Sequence, residues 1–152
     1  GFDQVELACN SSENGFWIYD PTQQKIKKLN TQFRSTHETV NLLQWFGRGF
    51  QPNFMIEYNQ KLYVNEPSLG ILVFDQFATY IKTIPLLHLK SPQLMEDVVF
   101  FMKENSLCNY GLKTLETDCL EMIGSAIRNA RYEKDRLYLL KSKSIEICNL
   151  PK

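Results

Sequence analysis

The side chains best suited to chemistry are four cysteines, Cys9, Cys108, Cys119 and Cys148, and two histidines, His37 and His88. Separations of 99, 11 and 29 positions leave no two thiols at the close Cys-x-x-Cys type of spacing with which one turn presents two thiolates to a metal. Two histidines are too few for a three-histidine centre and leave two candidates for a histidine base. His88, between Leu87 and Leu89, reads as an ordinary packed or loop residue. The cysteines are too sparse for a disulfide-stapled miniprotein and read as small buried hydrophobes. Cys108 and Cys119 can meet across a hairpin, but a one-residue change of register would put them on opposite sheet faces. Glu57, Asn65, Asp75, Asn105 and Asp118 are the oxygen donors that hold a divalent cation when they converge. Strand-end Asp20 and Asp75 read instead as caps of their own turns. No Gly-x-Ser-x-Gly elbow, phosphate-binding glycine loop or paired metal motif occurs. The expectation is a binding protein rather than an enzyme, with no catalytic residue, metal site or cofactor assigned.

The elements that would position such groups follow from composition and pattern. A chain of 152 residues, 43% hydrophobic and 22% charged, is the size and balance of one folded domain. Seventeen basic residues against seventeen acidic ones leave zero formal charge, hence no global field for a phosphate backbone, and nucleic acid is not expected as a partner. No apolar run approaches the ~20 residues of a membrane span, and no basic-then-apolar leader opens the sequence.

Four segments share one grammar: an apolar-alternating run, a polar turn, a second apolar run. The first pairs Gly15–Asp20 with Lys25–Leu29 across Pro21–Gln24, and the second pairs Lys61–Asn65 with Ile71–Asp75 across Glu66–Gly70. The third joins Ser106–Tyr110 to Asp118–Met122, and the fourth Arg136–Leu140 to Ile145–Cys148. Their arms are rich in β-branched and aromatic residues, and their bends in Pro, Gly, Ser, Asn or charge, which predicts β-hairpins. Upstream strands are predicted at Val5–Cys9, Phe54–Tyr58, Val98–Met102 and, more weakly, Ala126–Ala130. Hairpin starts at 15, 61, 106 and 136 are spaced 46, 45 and 30 apart, the period of β-propeller blades.

Residues 61–84 carry the motif that names the pattern. Their apolar strand, turn, Gly70-Ile-Leu-Val-Phe-Asp75 and aromatic-rich continuation resemble an NHL-type blade, and Asp20 after Ile18-Tyr19 echoes Asp75. Ala78 stands where such blades usually carry glycine. Residues 136–150 are similar to the last blade of bacterial six-bladed propellers. The resemblance implies an all-β fold, a partial β-propeller of three to four antiparallel four-stranded blades over 1–152. The blades fall at approximately 2–46, 47–90, 91–125 and 126–150. A six-bladed ring at about 45 residues per blade needs about 270 residues, so open strand edges are expected to be covered by a protein partner or a second copy.

A helical alternative exists for Ser91–Met102 and Leu115–Ala130, where apolar spacing suits both periods; the repeat favours strands. Alternation in Lys25–Leu29 predicts Lys25 and Lys27 on a solvated face. The stretch 31–52 exceeds an inter-blade corner. Its first part is expected to hold the outer strand of the first blade, and its end to form a loop in which Trp45, Phe46, Arg48 and Phe50 make a candidate partner contact, since aromatics and arginine concentrate at hot spots. The same residues read alternatively as a corner whose Trp45 plugs the interblade core. The function expected is a non-catalytic binding or assembly module acting through protein contacts, with a fragment of a divalent-metal-dependent, lactonase-like propeller hydrolase as the alternative. Similarity to bacterial envelope propellers points to the periplasm or cell surface.

Overall fold

A computed structural model describes residues 2–122 and 127–149. The chain is all-β, a partial β-propeller whose four blade sheets are each built from consecutive strands paired antiparallel. Sheet 1 holds β1 (Leu7–Ser11), β2 (Gly15–Asp20), β3 (Lys25–Leu29) and β4 (Ser35–Glu38). A single helical turn, α1 (Leu42–Phe46), leads to sheet 2, made of β5 (Phe54–Tyr58), β6 (Lys61–Glu66), β7 (Gly70–Asp75) and β8 (Tyr80–Ile84). Sheet 3 holds β9 (Lys90–Met95), β10 (Val98–Lys103), β11 (Ser106–Gly111) and β12 (Thr117–Glu121). Sheet 4 holds, among the described residues, β13 (Asn129–Glu133), β14 (Arg136–Leu140) and β15 (Ile145–Asn149). The sheets fall into two compact units, Gly1–His88 and Leu89–Lys152.

All four predicted hairpins form as antiparallel pairs. The helical alternative fails over 91–102 and over the described part of 115–130, of which 123–126 lie outside the described residues. Residues 91–102 lie in β9 and β10, joined by a two-residue turn, and 117–121 form β12. Of the weak run Ala126–Ala130, Ala126 lies outside the described residues, and the strand there is β13, beginning at Asn129.

In the first unit, the middle strands β6 and β7 are buried on both faces, which is why their sequences read as nearly continuous apolar runs. Trp17 and Tyr19 of β2 share one core with Leu62, Val64, Leu72 and Phe74 of sheet 2. Leu42, the first residue of α1, and Phe50, beyond its end, close that core. In the second unit, Met102 and Leu107 of sheet 3 pack with Ala130, Leu137 and Leu139 of sheet 4. Gln93 of β9 joins these two sheets through the Tyr132 backbone, accepting from its N–H at 2.9 Å and donating to its carbonyl at 2.5 Å.

Two expectations are corrected. Lys27 and Lys28 are 1% and 5% exposed, so β3 has no solvated lysine face. The Lys28 stem lies against Trp17, with its ammonium 5.4 Å from the ring centroid and 2.6 Å from a Glu13 carboxylate oxygen. Lys27 reaches Gln23 at 2.6 Å and Asp20 at 3.8 Å. Long stems can fill apolar space while their heads stay paired, which strand alternation alone does not reveal. Nor are all the cysteines free: Cys108 and Cys119 face each other directly across β11 and β12 and form a disulfide. Cys9 and Cys148 remain thiols and are half-buried.

Tight hairpins fix the registers. Asn59 and Gln60, between β5 and β6, both have left-handed backbone, φ 47° and 58°, the geometry that matches the twist of two-residue turns. Gln60 is exposed and is held in a conformation that glycine adopts freely. Gln60→Gly is expected to raise stability by about 0.5–1 kcal/mol in urea denaturation. Cys119→Ser is expected to lower stability by about 2–3 kcal/mol, and a reducing agent should lower the melting temperature of the parent chain but not of that variant.

Candidate functional site

The segment joining sheet 1 to sheet 2 is shaped by Gln24, which stands in a left-handed turn at φ 52°. Its backbone carbonyl accepts from Leu42 N–H at 2.8 Å, and its side-chain oxygen accepts from Phe50 N–H at 2.8 Å. Its amide nitrogen donates to the Tyr19 hydroxyl at 2.8 Å, and that hydroxyl donates in turn to the Phe50 carbonyl. Burial pushes the Tyr19 hydroxyl up to about 12, so it remains a donor throughout the physiological range. Within this frame Asn41 caps α1 by accepting from Gln44 N–H at 2.9 Å, and Gly47 ends the helix at φ 69°. A loop was expected here; the Asn cap and the glycine five residues beyond Leu42 are what make it a helical turn.

The four predicted contact residues separate. Trp45 projects to the surface, 43% exposed, stacking on Phe46 at 5.1 Å and meeting Tyr80 edge-on at 4.8 Å. Phe46 stacks behind it on Phe50 at 5.9 Å, and Phe50 is wholly buried against Tyr19. Arg48 is turned elsewhere, toward Glu66 at 3.6 Å. Trp45 alone of the four lines a groove.

That groove, with a volume of about 660 Å³, runs between the end of β4 with α1 on one side and the β7–β8 turn on the other. Trp45, Phe77, Tyr80 and Val40 give it apolar walls, and Asn41, Gln44 and Glu38 supply polar groups. Val40 and Phe77 are 63% and 55% exposed, too much apolar surface at one place for scattered surface hydrophobes. The opposite wall is rigid. Asp75 accepts from Phe77 and Thr79 N–H, each at 2.8 Å, and Ala78 adopts φ 66°, the left-handed conformation for which glycine is usual. Asp20 caps its own turn in the same way, accepting from Thr22 and Gln23 N–H at 3.1 Å. Burial alone would raise its carboxyl; backbone donors, with Lys27, outweigh that and hold it below the ordinary value.

Of the oxygen donors named from the sequence, Asp75, Glu57, Asn65 and Asn105 are engaged in local hydrogen bonds. Glu57 accepts from Ser12 N–H at 3.2 Å, from the Ser12 hydroxyl and from the Trp17 indole N–H, joining β5 to sheet 1. Asn65 donates to Asn53 at 2.6 Å, and Asn105 to the Met122 carbonyl at 2.7 Å. Asp118 lines a separate cavity of about 310 Å³ in the second unit. Among the described residues, no three Asp, Glu, His or Cys side chains gather as metal ligands. Burial pushes the Cys9 thiol up to about 12, with Glu57 nearby, so it is no thiolate nucleophile at neutral pH.

No protein-family model and no curated sequence matches the chain. Solved structures do. The chain is similar to PorZ, a bacterial surface component of the type-IX secretion system of Porphyromonas gingivalis, at 14% identity and TM-score 0.68, over 98% of this chain and 21% of that one. An extracellular domain from B. thetaiotaomicron matches at 15% identity and TM-score 0.64, over 95% and 19%. The computationally designed Ika4 protein matches at 7% identity and TM-score 0.61, over 97% and 92%. The likeness is one of fold. The chain thus spans about a fifth of each of the two natural structures, at 21% and 19%.

The clearest energetic role at the sheet junction belongs to Glu57. Burial would raise its carboxyl, but the Ser12 and Trp17 hydrogen bonds hold it below 4.5. The ionised acceptor therefore stabilises the fold fully above the ordinary glutamate value, and the contribution fades as pH falls through the depressed one. Glu57→Ala is expected to cost about 2–3 kcal/mol at pH 7 and to flatten the acid side of the stability profile, measured by urea melts from pH 7 to pH 3.

Proposed function

We propose that this chain is a non-catalytic binding module of NHL-like propeller blades and that it contacts a protein partner through the groove beside Trp45. One observation carries the reading: the connection between sheets 1 and 2 spends a capped helical turn to hold a large aromatic side chain at the surface, facing a second exposed aromatic in a rigid turn. Rigid aromatic groups flanked by hydrogen-bonding amides are the composition of contact surfaces. Trp45 with Phe46 behind it is the anchor, and Phe50 supports them from the core; Arg48, paired with Glu66, is not part of the groove's lining. A second copy of the chain is the other candidate occupant of its open edges.

A bacterial envelope or cell-surface setting accompanies this reading. It is supported by the two bacterial neighbours, one a surface component and one an extracellular domain, and by the disulfide, which persists where the surroundings are oxidising.

The test is selection of a displayed peptide library on the immobilised protein, followed by titration against Trp45→Ala. Selected peptides are expected to bind the variant at least about tenfold more weakly, a typical hot-spot loss, while its melting temperature stays within a few degrees of the parent. Undiminished binding to Trp45→Ala would remove the groove from the function. A large thermal stabilisation by a divalent cation would instead favour a metal-dependent hydrolase.

A further inference from the structure

Resting on the reading of the Trp45 groove as a protein-contact site, we infer that the partner group it takes is a basic side chain, arginine above all. The observations are charge, ring geometry and size. Of the residues that line the groove, Glu38 is the one that carries a charge, and no basic side chain is among them. Its carboxyl is held below the ordinary value chiefly by hydrogen bonding to Lys25, so it is an anion at neutral pH. Trp45 and Tyr80 meet with their planes 88° apart, forming a corner of two aromatic walls, and Phe77 lines the same space. Aromatic faces attract cations through their quadrupoles, and tryptophan does so best. A flat guanidinium can stack on one ring while its N–H groups turn toward a carboxylate, which a compact ammonium does less well.

The Lys25 pairing is part of the argument. Lys25 engages Oε1 of Glu38, and the pair is partly exposed, with side chains 27% and 43% accessible, so it is weak and exchangeable. It keeps the carboxylate in place without neutralising it irreversibly. An incoming guanidinium competes with the Lys25 ammonium for the same anion, so removing Lys25 strengthens the site. Neutral lining groups, Asn41, Gln44 and Thr79, add hydrogen-bonding capacity but no preference for charge.

The probes are N-acetylarginine methylamide and its neutral isostere N-acetylcitrulline methylamide, titrated into the full chain while the Trp45 indole N–H is followed by NMR. The arginine probe is expected to shift that signal saturably and to bind about tenfold more tightly than citrulline, the advantage shrinking as salt is raised. Glu38→Gln should abolish the preference, and Lys25→Gln should increase it severalfold. Trp45→Leu, which lacks the reporter indole and is therefore titrated by calorimetry, should remove binding of both probes, and both variants should melt within a few degrees of the parent as the control for folding. Equal affinity for the two probes would overturn the inference while leaving the groove as a contact site. No shift with either probe, while library-selected peptides still depend on Trp45, would also overturn it and spare the broader reading. No shift with either, and selected peptides indifferent to Trp45, would remove both.

Discussion

A blade sheet has two faces, and the middle strands of the first unit keep neither in water. That constraint orders the rest. Once β6 and β7 are covered on both sides, a polar group brought along must look for its partner inside the unit, which the buried Asn65 Oδ1 on β6 lacks and others find. Glu57 is the example: it enters the junction of sheets 1 and 2 as a carboxylate and takes the indole N–H of Trp17, a residue whose remaining surface is wholly in the core. Gln93 performs the matching task between sheets 3 and 4 with both ends of one amide. Each unit therefore joins its sheets with apolar area for strength and polar side chains for alignment, Lys28 adding a hydrogen bond to the Gln76 carbonyl at 3.3 Å in the first unit.

The groove is where that coverage stops. Leu42 and Phe50 belong to the core of the first unit, and the residues between them are carried outward on one helical turn. The stack from Phe50 through Phe46 to Trp45 runs from full burial to the surface, so the exposed ring is braced from beneath rather than left on a mobile loop. Tyr80 braces it from sheet 2 and is itself set against buried Phe74. A contact surface built this way loses little conformational entropy on binding, because its side chains are already ordered.

The hairpins were legible because strand alternation and turn residues are local signals, and their spacing exposed the blades. The rest was hidden for physical reasons. Lys27 read as solvent-facing, together with Lys25, since alternation cannot show that a strand's outer face will be covered. The bridge between Cys108 and Cys119 depends on a register that one residue would change, and the sequence does not fix registers to that accuracy. In the groove, Trp45 is a lining residue that composition singles out as a candidate. Glu38, Phe77 and Tyr80 were missed as a group, because they come from separate strands and turns that only packing brings together. The α1 turn was the avoidable omission: Asn41 before an apolar run and Gly47 after it are helix punctuation readable in one dimension.

The Cys108–Cys119 bond ties a buried position on β11 to an exposed one on β12, at residues that stand directly opposite. Sliding β12 by a single place would turn one sulfur inward and the other outward, beyond covalent reach of each other. The covalent bond is thus compatible with a single alignment of this edge strand and holds β12 to it.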